Sequence, residues 1–367
     1  MSTTPEALVD LYFRSRFETQ PQGITFVPGR VVLLGEHLDH QGGPVLAGTL
    51  PQGVYVAYGV RPDHKVRLHA LNARAVDSFE TTGLQASGRR WADMGRGVFA
   101  RMSQSGRRMP GMNLAVYGDL AVKSGLASSA AYVTSLLLAA LEVAEMELAP
   151  DAIARDVAAI EKEWADVACG PMDPYVEVVG KPGQIVHLDT AAMTHEILEL
   201  PPDVELVHAN TGIERRLDQT PYNERLEELD RALAAVRTVH PDLASLAQLT
   251  PEQFESAAPI IPEPARRRAR HVVSEAARVR TAVEALSAGD MALLGRLMWA
   301  GHESLARDYE SSLPAIDERV QGMQGDPEIL GARLQGAGWG GALAVLKRHS
   351  HAADELIDEI WKDPDRS

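Results

Sequence analysis

The apolar run Val31, Val32, Leu33, Leu34 carries the chain into four ionisable residues, Glu36, His37, Asp39 and His40, and two glycines, Gly42 and Gly43, close the stretch. A strand buried on both faces that ends in such a cluster does more than pack, and three readings are open. The histidines form H-x-x-H beside Asp39 and offer metal-ligand atoms. A zinc site, however, needs a third and a fourth ligand and usually shows cysteine or helix-spaced histidines. Hydrogen bonding to the hydroxyls of a sugar, or local capping of the turn, accounts for the same residues.

Two further segments carry candidate chemistry. In "KSGLASSAA", Lys123 to Ala131, Gly125 permits a turn with inward-facing N–H groups, and Ser124, Ser128 and Ser129 flank a helix start. Such a nest stabilises phosphate oxygens, and a serine hydroxyl there is also a ligand for Mg²⁺. A serine-capped helix explains the same string. In "IEKEWADVACGPMDP", Glu161 lies on a helix and Asp173 in the loop after a Gly–Pro turn. The pair suits one cleft, one carboxylate on Mg²⁺ and the other facing a substrate hydroxyl, although loop acids more often cap or face water.

The remaining motifs are weaker. "GAGWGG", Gly336 to Gly341, fits G-x-G-x-x-G, yet it leads into the strand-like "ALAVL" where a dinucleotide site requires a helix. It reads as a glycine turn that lets backbones, or a backbone and a substrate, approach closely. No G-x-x-x-x-G-K-[ST] occurs. "RRRARHVVSEAARVR", Arg266 to Arg280, has helical periodicity with Glu275 inside it and reads as a solvated face rather than a nucleic-acid surface.

Elements that would position these residues alternate along the first half. "GITFVPGRVVLLG", "GVYVAYGV", "KVRLHAL", "NLAVYGDL" and "QIVHLDT" read as strands. Helices are expected near Trp91, over Ser124–Glu145 and over roughly Asp151–Val167. The second half is more helical: the strand "VELVHANTG" precedes a helix over Tyr222–Val239, and a last amphipathic helix runs through Trp361. At the N-terminus, Thr4 is an expected N-cap before Pro5, with Leu8, Leu11 and Tyr12 on one face. The 367 residues suit two domains sharing a cleft, with a break near "ELPPD", giving 1–195 and 196–367. The net charge of −15 disfavours nucleic acid and anionic membrane as main partners, and no stretch is apolar enough to span a bilayer. The single cysteine, Cys169, excludes an intramolecular disulfide, and with no targeting peptide evident we expect a cytoplasmic protein.

Together the motifs resemble one family, the galactokinases of the GHMP small-molecule kinases. "GRVVLLGEHLDHQGG" is similar to that family's G-R-[VI]-N-L-[IL]-G-E-H-x-D-Y-x-x-G. "SGLASSAA" resembles its G-L-S-S-S-A loop, "CGPMDP" its C-G-I-M-D-Q segment, and "GARLQGAGWGG" its third glycine motif. "RRARHVVSE" and "LMWAGHESLARDYESSLPAID" resemble galactokinases more than the wider superfamily. The similarity runs from about Phe26 to Leu346, in the family's order.

The resemblance implies a two-domain α/β (α+β) fold, with a ribosomal protein S5 domain 2-like N-terminal domain, a ferredoxin-like C-terminal domain and the active site between them. It implies ATP, Mg²⁺ and transfer of the γ-phosphoryl group to O1 of a sugar. Asp173 takes the position of the catalytic aspartate and Arg30 that of the arginine stabilising the transferring group. Glu161 takes the Mg²⁺-ligand position, with Ser128 or Ser129 as the serine ligand. Glu36, His37, Asp39, Gly170 and Tyr222 fall at sugar-binding positions. Trp91 falls near the adenine pocket, and Lys123, Ser124, Gly125, Leu126, Ala127, Ser128 and Ser129 along the triphosphate loop. The expected partner is a small-molecule sugar, and the expected state a monomer or weak homo-oligomer.

Departures from the family pattern are specific. Val32 replaces an asparagine, Ala127 a serine, Pro174 a glutamine and Trp339 a phenylalanine. "DHQGG" resembles the galacturonokinase version of the first motif, whereas Glu36 would repel a C6 carboxylate and accept a hydrogen bond from a C6 hydroxyl. A neutral sugar such as galactose is the expected substrate. The alternatives are galacturonate, L-arabinose or another aldose, and a non-catalytic galactokinase-like sugar sensor.

Overall fold

The computed structural model describes residues 4–104, 106, 109–120, 126–167, 169–214, 220–350, 353–354 and 356–357. They form two compact units. The first is built on the residues up to Gly29 with Leu50–Leu120 and Ala127–Lys181; the second on Arg30–Thr49 and the described residues from Pro182 onward. Strands β1 (Gly23–Leu34) and β2 (Pro44–Arg61) each run from one unit into the other.

In the first unit, β2 pairs antiparallel with β5 (Gly111–Gly118), β5 parallel with β3 (Lys65–Ala70), and β3 antiparallel with β4 (Ala75–Glu80). Alternation of side chains decides what covers each face. Leu68 points to α2 (Arg90–Gln104), where Gly95 leaves room for its methyl group. The next residue, His69, points the other way to α1 (Pro5–Phe17), its Nδ1 3.1 Å from Tyr12 Oη. Helix α1 begins as expected, Thr4 Oγ1 accepting from Ala7 N–H at 3.3 Å. Its buried face differs from the sequence reading: Val9 and Phe13 sit fully buried against Ala57 and Ala115, and Leu11 is 63% exposed. Two small residues on the sheet admit the Phe13 ring, and Phe17 meets that ring edge-on at 4.8 Å, so aromatic packing selects the face.

Helices α3 (Ser128–Val143) and α4 (Pro150–Ala165) pack with α2, and α5 (Met172–Val179) packs with α3 and α4. Asp173, expected in a loop, lies in the first turn of α5. Pro174 follows it there at no cost, because the first-turn N–H groups have no intrahelical acceptor.

In the second unit, the first residues of β2 pair with β6 (Gln184–Asp189), and β6 with β7 (Thr194–Glu199). A separate antiparallel sheet runs β8 (Val204–Asn210), β10 (Ala342–Arg348), β9 (Ile329–Leu334). The glycine-rich stretch Gly336–Gly341 is the loop between β9 and β10, and a strand follows it, as the sequence suggested. Helices α6 (Tyr222–Val236), α7 (Pro251–Ala257), α8 (Ala265–Ser287), α9 (Met291–Ser304) and α10 (Pro314–Met323) complete the unit. The final helix expected through Trp361 is described at 353–354 and 356–357, and the rest of that expectation lies outside the described residues. Among the described residues no helix is long and apolar enough to cross a membrane.

Helix α9 lies on β9 at backbone distance because glycine faces glycine. A Cβ on Gly295 would stand 2.0 Å from Leu330 O, and one on Gly331 would stand 2.8 Å from Gly295 Cα. Alanine at Gly295 gains about 1 kcal/mol of helix propensity, whereas forcing these elements apart costs about 1–3 kcal/mol or more. Gly295→Ala is therefore expected to destabilise the protein in urea denaturation. A midpoint equal to or above wild type would show that the contact relaxes freely.

Candidate active site

All residues of Val31–Leu38 are buried, so the strand end must satisfy its backbone inside the protein. Beside its pairing with β2, it does so with side chains. Val32 N–H donates to Gln335 Oε1 at 2.6 Å, and Gln335 Nε2 donates to Val32 O at 2.7 Å, so the glutamine amide pairs like a peptide unit. Arg333 Nη1 donates to Leu33 O at 3.3 Å. Gly35, at φ 108°, turns the chain and donates its N–H to Glu275 Oε1 at 2.7 Å. A Cβ there would also meet Val45 Cα at 2.8 Å. His37 follows in a left-handed conformation, φ 66°.

Glu275 is completely buried on α8 and also accepts from Arg333 Nη1 at 2.5 Å and Arg278 Nε at 2.8 Å. Burial alone would raise its pKa; the two guanidiniums outweigh it and hold the carboxyl well below the usual range. Glu36, 2% exposed, accepts from Gly336 N–H at 2.6 Å through Oε1. The loop after β1 is thereby bonded to α8 and to the end of β9.

Aromatic groups surround the next residues. His37 stacks on Tyr309 with centroids 4.0 Å apart, Tyr309 ending a π-helical turn, Leu305–Tyr309, that continues α9. His271 lies between Ser304 Oγ (2.9 Å) and Glu36 O (3.3 Å). Burial pushes the pKa of His271 down to about 3 and that of His37 well below its ordinary value, so both rings are neutral near pH 7. His37 Nε2 and Tyr309 Oη are buried without a hydrogen-bond partner among the described residues. The hydroxyl of Tyr222, the first residue of α6, lies 2.5 Å from His40 Nε2, and Asp39 Oδ1 lies 3.8 Å from that nitrogen.

A second polar cluster occupies the first unit. Ala127, at φ 59°, precedes α3 and leaves that helix without a side-chain cap, contrary to a simple serine-capped reading. Ser129 Oγ donates to Glu161 Oε1 at 2.6 Å. Glu161 is 2% exposed, and its pKa is pushed up to about 7, by burial first and also by the charge of Asp173; Ser129, Arg90 and Cys169 oppose the rise. A buried carboxylate with surplus negative charge beside a hydroxyl is a hard-oxygen donor set, and it fits Mg²⁺, which uses few protein ligands.

With this geometry in view, comparison with known proteins is decisive. Residues 12–60 match the galactokinase galactose-binding signature, 95–181 the GHMP kinases N terminal domain and 282–364 the GHMP kinases C terminal domain. A galactokinase of Roseiflexus sp. (strain RS-1) is 33% identical over 338 residues, 92% of this chain and 86% of that protein. The chain belongs to the galactokinase family of GHMP kinases. It is a sugar kinase, a phosphotransferase. A galactokinase of Thermococcus kodakarensis is 32% identical over 324 residues, 88% of this chain and 89% of its own. The crystal structure of Lactococcus lactis galactokinase complexed with galactose superposes with a TM-score of 0.91 at 27% identity, covering 98% of this chain and 95% of that one. Mevalonate kinase of Methanococcus jannaschii shares the fold, with a TM-score of 0.64 at 18% identity, 94% of this chain and 97% of its own.

Within the galactokinase frame, Glu36, His37, Asp39 and Tyr222 come together in the second unit, where Arg30 also lies, 3% exposed. Ser129, Glu161 and Asp173 come together in the first. Gly170 is buried two residues before α5, Leu126 is buried, and Ser128 opens α3; the hydroxyl that reaches Glu161 is that of Ser129. Trp91, near the start of α2, takes a hydrogen bond from Tyr132 Oη to its carbonyl at 2.9 Å. Lys123, Ser124 and Gly125 lie outside the described residues. The solvated-face reading of Arg266–Arg280 is corrected: Arg268 (1% exposed), His271 and Glu275 (0%) are buried. The sequence reading missed Arg333, Gln335 and Tyr309, whose partners are remote in sequence. A charged residue repeating on an otherwise apolar helix face, as Glu275 does between Val272 and Val279, was the available signal.

The raised pKa of Glu161 predicts a pH-dependent stability. The unfolded carboxyl titrates near 4.5 and the folded one near 7, so between these values the folded state holds more protons and stability falls as pH rises. Glu161→Gln removes that fall. Its urea stability relative to wild type, without ligands, should rise by up to about 3 kcal/mol between pH 4.5 and about pH 8. A difference independent of pH would contradict the assigned cause.

Proposed function

We propose that this protein transfers the γ-phosphoryl group of ATP to O1 of galactose. The observation that carries the reading is the match of residues 12–60 to the galactose-binding signature, with the Asp39–His40–Tyr222 cluster built on it. The galactose complex of the Lactococcus lactis relative supports the same substrate. In this reading Asp173 accepts the proton of the O1 hydroxyl as the O1–phosphorus bond forms and the bond to the leaving ADP oxygen breaks. The transition state of such a transfer is loose, so placement and charge neutralisation matter more than basicity. Arg30 balances charge on the transferring group. The backbone from Leu126 through Ser129 faces the phosphates. Glu161 and Ser129 would hold Mg²⁺, which neutralises phosphate charge when bound.

Glu36, His37, Asp39, Gly170 and Tyr222 line the sugar site in this reading. Short polar groups with fixed directions discriminate strongly between hydroxyl patterns, because a missing hydroxyl leaves a buried partner unpaired. Glu36 is directed by its bond to Gly336 N–H, and its carboxylate disfavours a uronic acid.

Coupled ADP release should show turnover with galactose well above that with galacturonate or L-arabinose; preference for the uronate would contradict the role of Glu36. Asp173→Asn should lower kcat by at least about 100-fold while galactose affinity by calorimetry stays within about threefold. A variant with near-wild-type turnover would remove Asp173 from the role of base. A wild type that binds galactose and ATP without turnover would identify a sensor instead.

A further inference from the structure

The α1 face of the first unit's sheet holds positive charge that phosphoryl transfer does not use. On β3 and β4, Arg67 stands opposite Ser78 and His69 opposite Val76. The two-residue period of a strand sends all four side chains to the α1 face. With Arg16, from the last turn of α1, they line a cavity of about 280 Å³. That is close to the lower end, about 300 Å³, of small-molecule sites. Asp77 borders the cavity too, but its carboxylate is held by Arg89 and Arg96 on the other face of the sheet.

The charge in this cavity is unanswered. Arg16 and Arg67 make no hydrogen bond or ion pair among the described residues, whereas Arg14 pairs with Asp10 at 2.9 Å and Lys65 lies 3.9 Å from Glu80. Such arginines are conspicuous in a chain of net charge −15. Both act on His69, whose pKa is lowered by burial first and then by the charges of Arg16 and Arg67. His69 is 4% exposed and its ring is fixed, with Nδ1 3.1 Å from Tyr12 Oη and Phe17 edge-on at 5.0 Å. Nε2 has no hydrogen-bond partner among the described residues. The planar fork of a guanidinium matches two phosphate oxygens at once. Ser78 and His69 add polar atoms beside it, and Val76, 55% exposed, offers an apolar edge to a carbon skeleton.

We propose that this cavity is a second ligand site, which takes the phosphomonoester group of a small organic molecule between Arg16 and Arg67. It is separate from the Ser129–Glu161 cluster, whose helices α3 and α4 pack with α2 on the opposite face of the sheet.

The experiment follows thermal unfolding of the full chain with galactose 1-phosphate, inorganic phosphate or chloride at matched ionic strength. Saturating ADP, Mg²⁺ and galactose are present throughout, so that the catalytic site is occupied. A ligand bound to the folded state raises the melting temperature with its concentration. Galactose 1-phosphate should give a saturable rise, inorganic phosphate a weaker one, and chloride none. In Arg16→Gln and in Arg67→Gln the apparent Kd for the sugar phosphate should rise at least about tenfold, the worth of one charged hydrogen bond. Ser78→Asp, which sets a carboxylate opposite Arg67 and leaves both arginines in place, should abolish the rise. Galactose turnover should be unchanged in all three variants, which shows that they are folded. No saturable rise in wild type, an equal rise with chloride, or equal Kd values in wild type and variants overturns the proposal. Inorganic phosphate binding more tightly than galactose 1-phosphate overturns the assignment of an organic ligand.

Discussion

The buried pair of Glu275 and Arg333 is the constraint on which the second unit's polar site depends. Both side chains are fully excluded from water. Two charges in that setting are tolerated only when nearly every remaining lone pair and proton is used. Glu275 meets this by adding Arg278 and the N–H of Gly35; Arg333 meets it only at Nη1, which also reaches Leu33 O, while its Nε and Nη2 are buried without a hydrogen-bond partner among the described residues. Removing either partner strands a buried charge at a cost of about 3–5 kcal/mol. The pair is therefore best understood as fixing geometry: α8, β9 and the end of β1 have one mutual arrangement that satisfies it.

That arrangement is continued by neutral groups. Gln335 extends β9 as a side-chain peptide that pairs with Val32, and Gly336 gives its N–H to Glu36. The glycine-rich loop between β9 and β10 thus serves the sugar-binding signature directly. Its glycines matter for approach as well: a Cβ on Gly338, at φ 93°, would meet Ser311 O at 2.4 Å. The left-handed His37, stacked on Tyr309 and held neutral by burial, then hands the chain to Asp39 and His40. Glu36, His37 and His40 each meet a residue far away in sequence.

This explains what could be read without the fold. The signature, the phosphate loop and the Asp173 segment are contiguous strings, and their order was enough to indicate a galactokinase. Their mutual support was not legible. Val32 and Gln335 are 303 residues apart, and nothing local in either predicts an amide that imitates a strand. Periodicity placed Arg266–Arg280 on a helix, and the position of Glu275 between Val272 and Val279 was its one sign of burial, outweighed by the arginines because a buried charged face and a solvated one share the same 3.6-residue period. The same limit applies to α1, where Leu11 and Phe13 look equally apolar until Ala57 and Ala115 select the aromatic ring. Asp173 reads as a loop acid because it follows the Gly170–Pro171 turn; α5 begins directly after that turn, and Pro174 in its first turn breaks nothing.

A crystal structure with galactose bound tests the central claim most directly. The sugar is expected against the loop after β1, with ring hydroxyls within about 3 Å of Asp39 and Tyr222 and O1 within about 3 Å of an Asp173 carboxylate oxygen. A galactose seated without contact to Asp39 and Tyr222, or with O1 beyond reach of Asp173, would contradict it.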